Sequence, residues 1–234
     1  MGPLRPSEVI CMQRPSIRDL WYELLKRMLQ LAGVLALGVR HWGRENIPRS
    51  GGVLVVSNHQ SHLDPILVGI GCPRRMNYVA RETLFRFAPF AWLIDSVGAL
   101  PLNREGMGLK GIKESLKRLK RGEMVVIFPE GTRTRDGAIG PFRSGFTTLA
   151  VRADAAILPM AIEGAFQAWP RWRKFPGLGR IRVRYGAPIR PAEFAGRDER
   201  ELVAEVERRV RECHDWLEKE SGRAIGKEWP GQER

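Results

Sequence analysis

Strands that alternate with helices predict an α/β protein. The expected architecture is a single domain with a central mixed, largely parallel sheet flanked by helices, plus an N-terminal amphipathic helix that associates with a membrane. Three observations carry this. The runs VLVV (53–56) and MVVIF (124–128) are short and apolar, with no polar alternation, as strands buried on both faces should be. Between such runs lie stretches of helical period, such as LKGIKESLKRLKR at 109–121, with Leu109, Ile112, Leu116 and Leu119 on one stripe. No internal repeat is present in the 234 residues, a length that suits one domain with trimmings.

The elements follow in order. Residues 1–15 hold Pro3, Pro6 and Pro15 and read as a loose arm. Residues 17–41 read as a helix, with Leu20, Trp21, Leu24, Leu25, Met28, Leu29 and Leu31 at helical spacing and Arg18, Lys26 and Arg27 beside them. Its most apolar part is about 12 residues long, short of the ~20 that a spanning helix needs. No A-x-A site follows it, so no secretory signal is expected. The helix either lies in a membrane interface, with Trp21 and Tyr22 at headgroup depth, or packs on the domain's own core. PRSGG (48–52) is turn chemistry, and strand 53–56 follows it. A helix is expected from about Pro65, a strand at 76–80, a short helix at 85–94 and a third strand at 97–102. After helix 109–121 and strand 124–128 come a helix at 147–152 and a strand at 156–162. RIRVRY (180–185) alternates basic and apolar residues, as a strand with one wet face would. Residues 198–220 form an amphipathic helix with Leu202, Val206, Val210, Cys213 and Leu217 on its apolar stripe.

The formal charge is +13, so the surface should seek polyanions: nucleic acid, an anionic membrane or an acidic carrier protein. Three well-separated cysteines, with no C-x-x-C, argue against a disulfide framework or a cysteine-rich zinc site.

The octet NHQSHLDP (58–65) sits between the first strand and a helix. Asp64 before Pro65 reads as an N-cap, with Pro at the first helical position. On one helix, residues five apart would point about 140° away from each other. Across a turn, Asp64 can reach the His59 imidazole and leave the other ring nitrogen as a base. With no G-x-S-x-G serine in the chain, the nucleophile would then be a substrate hydroxyl. Two other readings stand beside this one: a metal site from His59, His62 and Asp64, and a polar turn without chemistry. FPEGTRTRDG (128–137) follows the strand MVVIF. Its glycine lets the backbone approach an anion, Arg133 can grip a phosphate, and Glu130 can orient that arginine or a substrate hydroxyl. GALPLNR (98–104) puts Arg104 past another strand's end.

Asn58-His59-x4-Asp64, Gly98 to Arg104, Phe128-Pro-Glu-Gly-Thr-Arg133 and Ile157-Leu-Pro159, in that order, resemble the four blocks of the glycerolipid acyltransferase family, and above all its 1-acylglycerol-3-phosphate (lysophosphatidate) acyltransferases. The resemblance covers about residues 40–190. It implies that residues 42–221 are the acyltransferase domain, with an arm and amphipathic helix at 1–41 and a polar tail at 222–234. It implies His59 as the general base and Asp64 as its orienting partner. Arg104, Glu130, Gly131 and Arg133 would bind the acceptor's glycerol phosphate, and Pro159 would serve the acyl-donor side or packing. Arg81 stands where the family often has a lysine, but Thr83 replaces the acid of that stretch. His62 is not a motif position. The implied reaction passes a fatty acyl group from acyl-CoA or acyl carrier protein to a lysophospholipid, with no metal or bound cofactor. Its oxyanion would be met by backbone N–H groups around the first-block turn or the nearby helix start.

Two features pull elsewhere. Gly106-Met-Gly108-Leu-Lys-Gly111 is a literal G-x-G-x-x-G, but Asn103, Arg104 and Glu105 intrude before the first glycine and spoil the tight turn of a dinucleotide site. The segment 169–190 carries Arg171, Arg173, Lys174, Arg180, Arg182, Arg184 and Arg190 without an acid, interleaved with Trp169, Trp172 and Phe175. It suits an anionic bilayer, single-stranded nucleic acid or a solvated basic edge. With the lipid chemistry, the expectation is membrane phospholipid and no nucleic acid, at the cytoplasmic face of the cell membrane. The rival functions are transfer to another lysolipid and a non-catalytic basic protein that binds membrane or nucleic acid.

Overall fold

Among the residues that the computed structural model describes (17–81, 100–102 and 109–222), seven strands form one sheet. In chain order the elements are α1 (Ile17–Leu37), β1 (Arg40–Trp42), β2 (Val53–Ser57), α2 (Asp64–Ile70), β3 (Met76–Arg81), β4 (Leu100–Leu102), α3 (Leu109–Lys120) and β5 (Met124–Ile127). Then come α4 (Thr147–Ala153), β6 (Ala156–Glu163), α5 (Ala165–Ala168), β7 (Arg182–Tyr185), α6 (Pro191–Phe194) and α7 (Glu199–Glu220). The strand order is β1-β7-β6-β2-β5-β3-β4. Five neighbours, β6-β2-β5-β3-β4, are parallel, and the edge pair β7 and β1 runs the other way. The expected mixed, largely parallel sheet is the observed one.

The apolar runs lack alternation because both faces are covered. Val53, Val55, Met124, Val126, Leu158 and Met160 face one core cluster, which α2 completes with Leu67, Val68 and Ile70. Leu54, Val56, Val125, Ile127 and Ile157 face the other, filled from α3 by Leu119, from α4 by Leu149 and from α7 by Leu202, Val206, Val210 and Leu217. Each of these fully buried aliphatic side chains contributes about 1.5–3 kcal/mol relative to its exposed state.

Several elements differ from expectation. The first helix stops at Leu37 rather than continuing to 41. Gly38, at φ 50°, turns the chain, and Arg40–Trp42 pair with Arg182–Arg184 as an edge strand. Three residues are too few for a period to be read. Two four-residue helices, α5 and α6, are likewise too short to leave a stripe. The helix after the octet begins at Asp64 itself, with Leu63 at the N-cap position and no side-chain cap. The expected helix at 85–94, residues 97–99 of the third strand, the arm at 1–15 and the tail beyond Gly222 lie outside the described residues.

Helix α1 packs on the domain's own core with one face and leaves an apolar face exposed on the other side. Tyr22 and Gly33 are buried; Gly33 abuts Val39 and Ile70, and Gln30 donates to the carbonyl of Ile70. Leu20, Leu24, Met28, Leu31 and Leu35 form a second stripe at helical spacing, each 55–77% exposed. No helix among the described residues is long and apolar enough to cross a membrane.

Candidate active site

The parallel register brings the sequence blocks to one end of the sheet. Val56 pairs with Ile127 on one side and Pro159 on the other, so the residues that follow β2 and β5 emerge side by side. Asn58 locks this arrangement. Its side-chain amide donates to the carbonyl of Ile162 (2.9 Å) and its amide oxygen accepts from the N–H of Ile162 (2.8 Å), which extends the β2–β6 ladder by one side chain. Pro159 lies within β6, where its carbonyl accepts from Gly186 N–H at 2.8 Å. Its place is structural, in the sheet.

His59 is held at four points. Its ring stacks on Phe128 with centroids 4.2 Å apart. Its backbone N–H donates to Glu130 Oε1 (2.8 Å), and its carbonyl accepts from Thr134 N–H (2.8 Å). Its Nδ1 lies 2.7 Å from Asp64 Oδ2. Asp64 is fully buried, whereas the His59 side chain keeps 19% exposure. With Nδ1 committed to Asp64, Nε2 is the nitrogen that can meet a substrate.

Asp64 does more than orient the imidazole. Oδ2 also accepts the N–H groups of Gln60 (2.6 Å) and Ser61 (2.7 Å). The expected N-cap is therefore a cap on the preceding turn, with the carboxylate folded back over it from the helix start. The N–H groups of His59, Gln60, Ser61 and Leu63 are all engaged, by Glu130, by Asp64 twice and by Ser61 Oγ. These four are occupied already, which removes them as the expected oxyanion donors.

Glu130 is buried, and its second oxygen accepts from Gly140 N–H (3.2 Å). Burial raises its pKa, opposed by the two backbone hydrogen bonds. Both oxygens are bonded to backbone amides, so Glu130 holds the 128–140 loop against the His59 turn. Gly131, at φ 72°, turns this loop, and a Cβ there would come within 3.1 Å of the Arg143 guanidinium carbon. Arg143 thus lies against the Glu-Gly-Thr-Arg turn from ten residues downstream. Only its place in a Pro-Phe-Arg stretch hinted at it in the sequence. The Arg133 guanidinium lies against the His62 ring. A cation in contact with His62 and a crowded Asp64 oxygen disagree with a metal site built from His59, His62 and Asp64. Arg81 ends β3, its backbone opposite Leu102 of β4. Arg104 and the first two glycines of G-x-G-x-x-G lie outside the described residues.

The basic segment borders the site. Ser61 Oγ donates to the carbonyl of Trp169 (2.7 Å), the Trp169 ring leans on His62 (5.1 Å between centroids), and His62 Nε2 is 3.4 Å from the carbonyl oxygen of Arg171. Beyond these contacts Trp172, Phe175 and Leu178 are 62–89% exposed among Arg171, Arg173 and Lys174.

A partly exposed histidine paired with a buried carboxylate, beside an arginine-bearing loop, can remove a proton from a hydroxyl held by an anionic group. Comparison with known proteins agrees with that chemistry. Residues 38–163 match the family model described as Acyltransferase. The 1-acyl-sn-glycerol-3-phosphate acyltransferase of Bacillus subtilis (strain 168) is 31% identical over 199 residues, which cover 83% of this chain and 95% of that protein. The protein of the same name from Pseudomonas aeruginosa is 34% identical over 173 residues, 72% of this chain and 64% of its own. The crystal structure of the 1-acyl-sn-glycerophosphate (LPA) acyltransferase PlsC from Thermotoga maritima superposes with a TM-score of 0.76 at 26% identity, covering 89% of this chain and 84% of that one.

Proposed function

The chain belongs to the acyltransferase family, and on that premise we propose that it transfers a fatty acyl group from a thioester to the free hydroxyl of 1-acylglycerol-3-phosphate, giving phosphatidate. The observation that carries the mechanism is the 2.7 Å contact between His59 Nδ1 and Asp64 Oδ2 beside the Arg133 loop. His59 Nε2 takes the proton of the acceptor hydroxyl as its oxygen attacks the thioester carbonyl. The tetrahedral intermediate collapses with loss of the thiolate, which leaves as the thiol once it has a proton from the imidazolium. Asp64 keeps the ring in the required tautomer and stabilises the imidazolium. Arg133, with Arg104 and Arg81 as further candidates, holds the acceptor phosphate. Gly131 lets the backbone approach it, and Glu130 fixes the loop that carries them. The transfer is redox-neutral and is written with no cofactor beyond the thioester co-substrate, whether acyl-CoA or acyl carrier protein.

The acceptor is a membrane lipid, and the protein is read as peripheral or monotopic at the cytoplasmic face of the cell membrane. Two surfaces support this: the apolar stripe of α1, and the tip formed by Trp172, Phe175 and Leu178 with its neighbouring cations.

The test is transfer of a labelled acyl group by the purified protein to lysophosphatidate and to other lysolipids, from both donors. His59→Ala should abolish transfer while the circular dichroism spectrum and melting curve stay intact. Undiminished transfer in a folded His59→Ala protein would defeat the mechanism.

A further inference from the structure

His62 occupies one of the four open positions between His59 and Asp64, where the motif asks for no particular side chain. Its surroundings give it one. The ring is exposed to solvent, touches the Arg133 guanidinium, and is backed by the Trp169 indole at 5.1 Å. The backbone at both partners is fixed relative to His59. Thr134 N–H, next to Arg133, bonds the His59 carbonyl at 2.8 Å, and Ser61, next to His62, is tied to Asp64 and to Trp169. An imidazole and a guanidinium in contact both offer donors and, when both are charged, repel each other. An anion seated on the pair removes that repulsion and accepts from both.

We propose that His62 is a second ligand of the acceptor phosphate, acting with Arg133, and that it takes up a proton when a phosphomonoester binds. The inference rests on the reading that Arg133 holds that phosphate. The groups that face the ring fit. Although the ring is exposed, partial desolvation by its neighbours, foremost, and then Arg133 lower its pKa from the ordinary 6.5. The Arg171 carbonyl pulls it up, His59 down and Asp64 up. A phosphate dianion within reach adds an upward influence larger than that of Asp64, whose charge is already shared among three hydrogen-bond donors. The sign follows. Free His62 is neutral near pH 7 and the complexed residue is protonated, so acceptor binding weakens as pH rises through the pKa of the complex. A phosphomonoester, carrying about −1.5 to −2 charges at pH 7, matches two cations better than a phosphodiester can.

The test is steady-state kinetics with lysophosphatidate and thioester, each varied at saturation of the other, for the unaltered protein, His62→Gln and His62→Arg. His62→Gln should raise the KM for lysophosphatidate by about tenfold, the size of one charge-assisted hydrogen bond, while the thioester KM moves less than about twofold. His62→Arg should recover most of that loss. Between pH 6 and 8 the unaltered protein's acceptor KM should rise relative to that of His62→Arg, which shares the acceptor's own titration and carries a permanent charge. The inference is overturned if transfer persists and His62→Gln leaves the acceptor KM unmoved. It is equally overturned if both KM values rise together, as a merely displaced turn would cause, or if His62→Arg restores nothing. Transfer by the unaltered protein is a separate premise, tested by the labelled acyl-transfer assay alone.

Discussion

Asp64 Oδ2 lies 2.7 Å from His59 Nδ1 and also accepts the backbone N–H groups of Gln60 and Ser61, so one oxygen orients the imidazole and shapes the turn that presents it. Substitutions can separate the two duties. Asp64→Asn keeps an oxygen for the backbone donors but loses the charge that stabilises an imidazolium. Its kcat should fall by about 10²–10⁴-fold with little change in melting temperature. Asp64→Ala should lose the rate and, with two buried donors stranded at about 1–3 kcal/mol each, much of the stability as well. Equal melting curves for the two variants would contradict this division.

Glu130 bridges two backbone amides, His59 N–H and Gly140 N–H. Glu130→Ala strands both, at about 1–3 kcal/mol each. In a chain of this length each kcal/mol lowers the melting temperature by about 2–4 °C. The expected kinetic signature is a lower kcat from a loosened His59 turn, with donor and acceptor KM affected alike. A selective rise in acceptor KM would instead make Glu130 a direct acceptor ligand.

Arg133 is expected to act on the acceptor alone. Arg133→Ala should raise the KM for lysophosphatidate by about 10- to 100-fold, the range for hydrogen bonds to charged groups. Arg133→Lys should recover only part, because an ammonium cannot make the two parallel bonds of a guanidinium. Initial rates across an acceptor series decide the matter.

His41 and His214 predict how stability responds to acid. Burial, the leading cause for both, lowers their pKa values below the ordinary 6.5. The native protein then binds fewer protons than the unfolded chain between the folded and unfolded pKa values. Stability is therefore fully present above about 6.5 and is lost as pH falls through the lowered values. Melting temperature should drop between pH 7 and 5, and by less in His214→Gln, where one of the two groups no longer titrates. A pH-independent melting point over that range would refute the assignment.

Membrane binding should depend on both exposed apolar surfaces. Leu31→Ser with Leu35→Ser on α1, and Trp172→Ser with Phe175→Ser on the loop, should each weaken sedimentation with anionic vesicles. Added salt should weaken it further, since each surface cation near such a membrane contributes about 1 kcal/mol. Equal binding to neutral vesicles would remove the electrostatic component.

The strands of the central sheet could be read in the sequence because burial on both faces leaves them uniformly apolar, as at Val53–Val56 and Met124–Ile127. The α7 stripe could be read because Leu202, Val206, Val210, Cys213 and Leu217 repeat over about four turns, and all five are buried. β1 could not, because Arg40, His41 and Trp42 owe their conformation to β7, some 140 residues away. The His59–Asp64 contact followed from a turn that brings the two side chains back together. The place of Glu130 did not, since nothing in a Pro-Glu-Gly triplet says which backbone amides its carboxylate will meet. His62 was the harder case. Its partners, Arg133, Trp169 and Arg171, come from two distant loops, and no local spacing records them.

The amide clamp between Asn58 and Ile162 spans 104 residues. At a synthesis rate of about 5–20 residues per second, the octet leaves the ribosome about 5–20 s before the strand that completes it. During that interval a nascent chain carries His59 and Asp64 without the β6 edge that sets where the turn begins. Acyl-transfer competence is therefore a late event of biogenesis. A chain cut short before β6 should be inert, even with the whole His-x4-Asp motif and the Glu-Gly-Thr-Arg loop in hand.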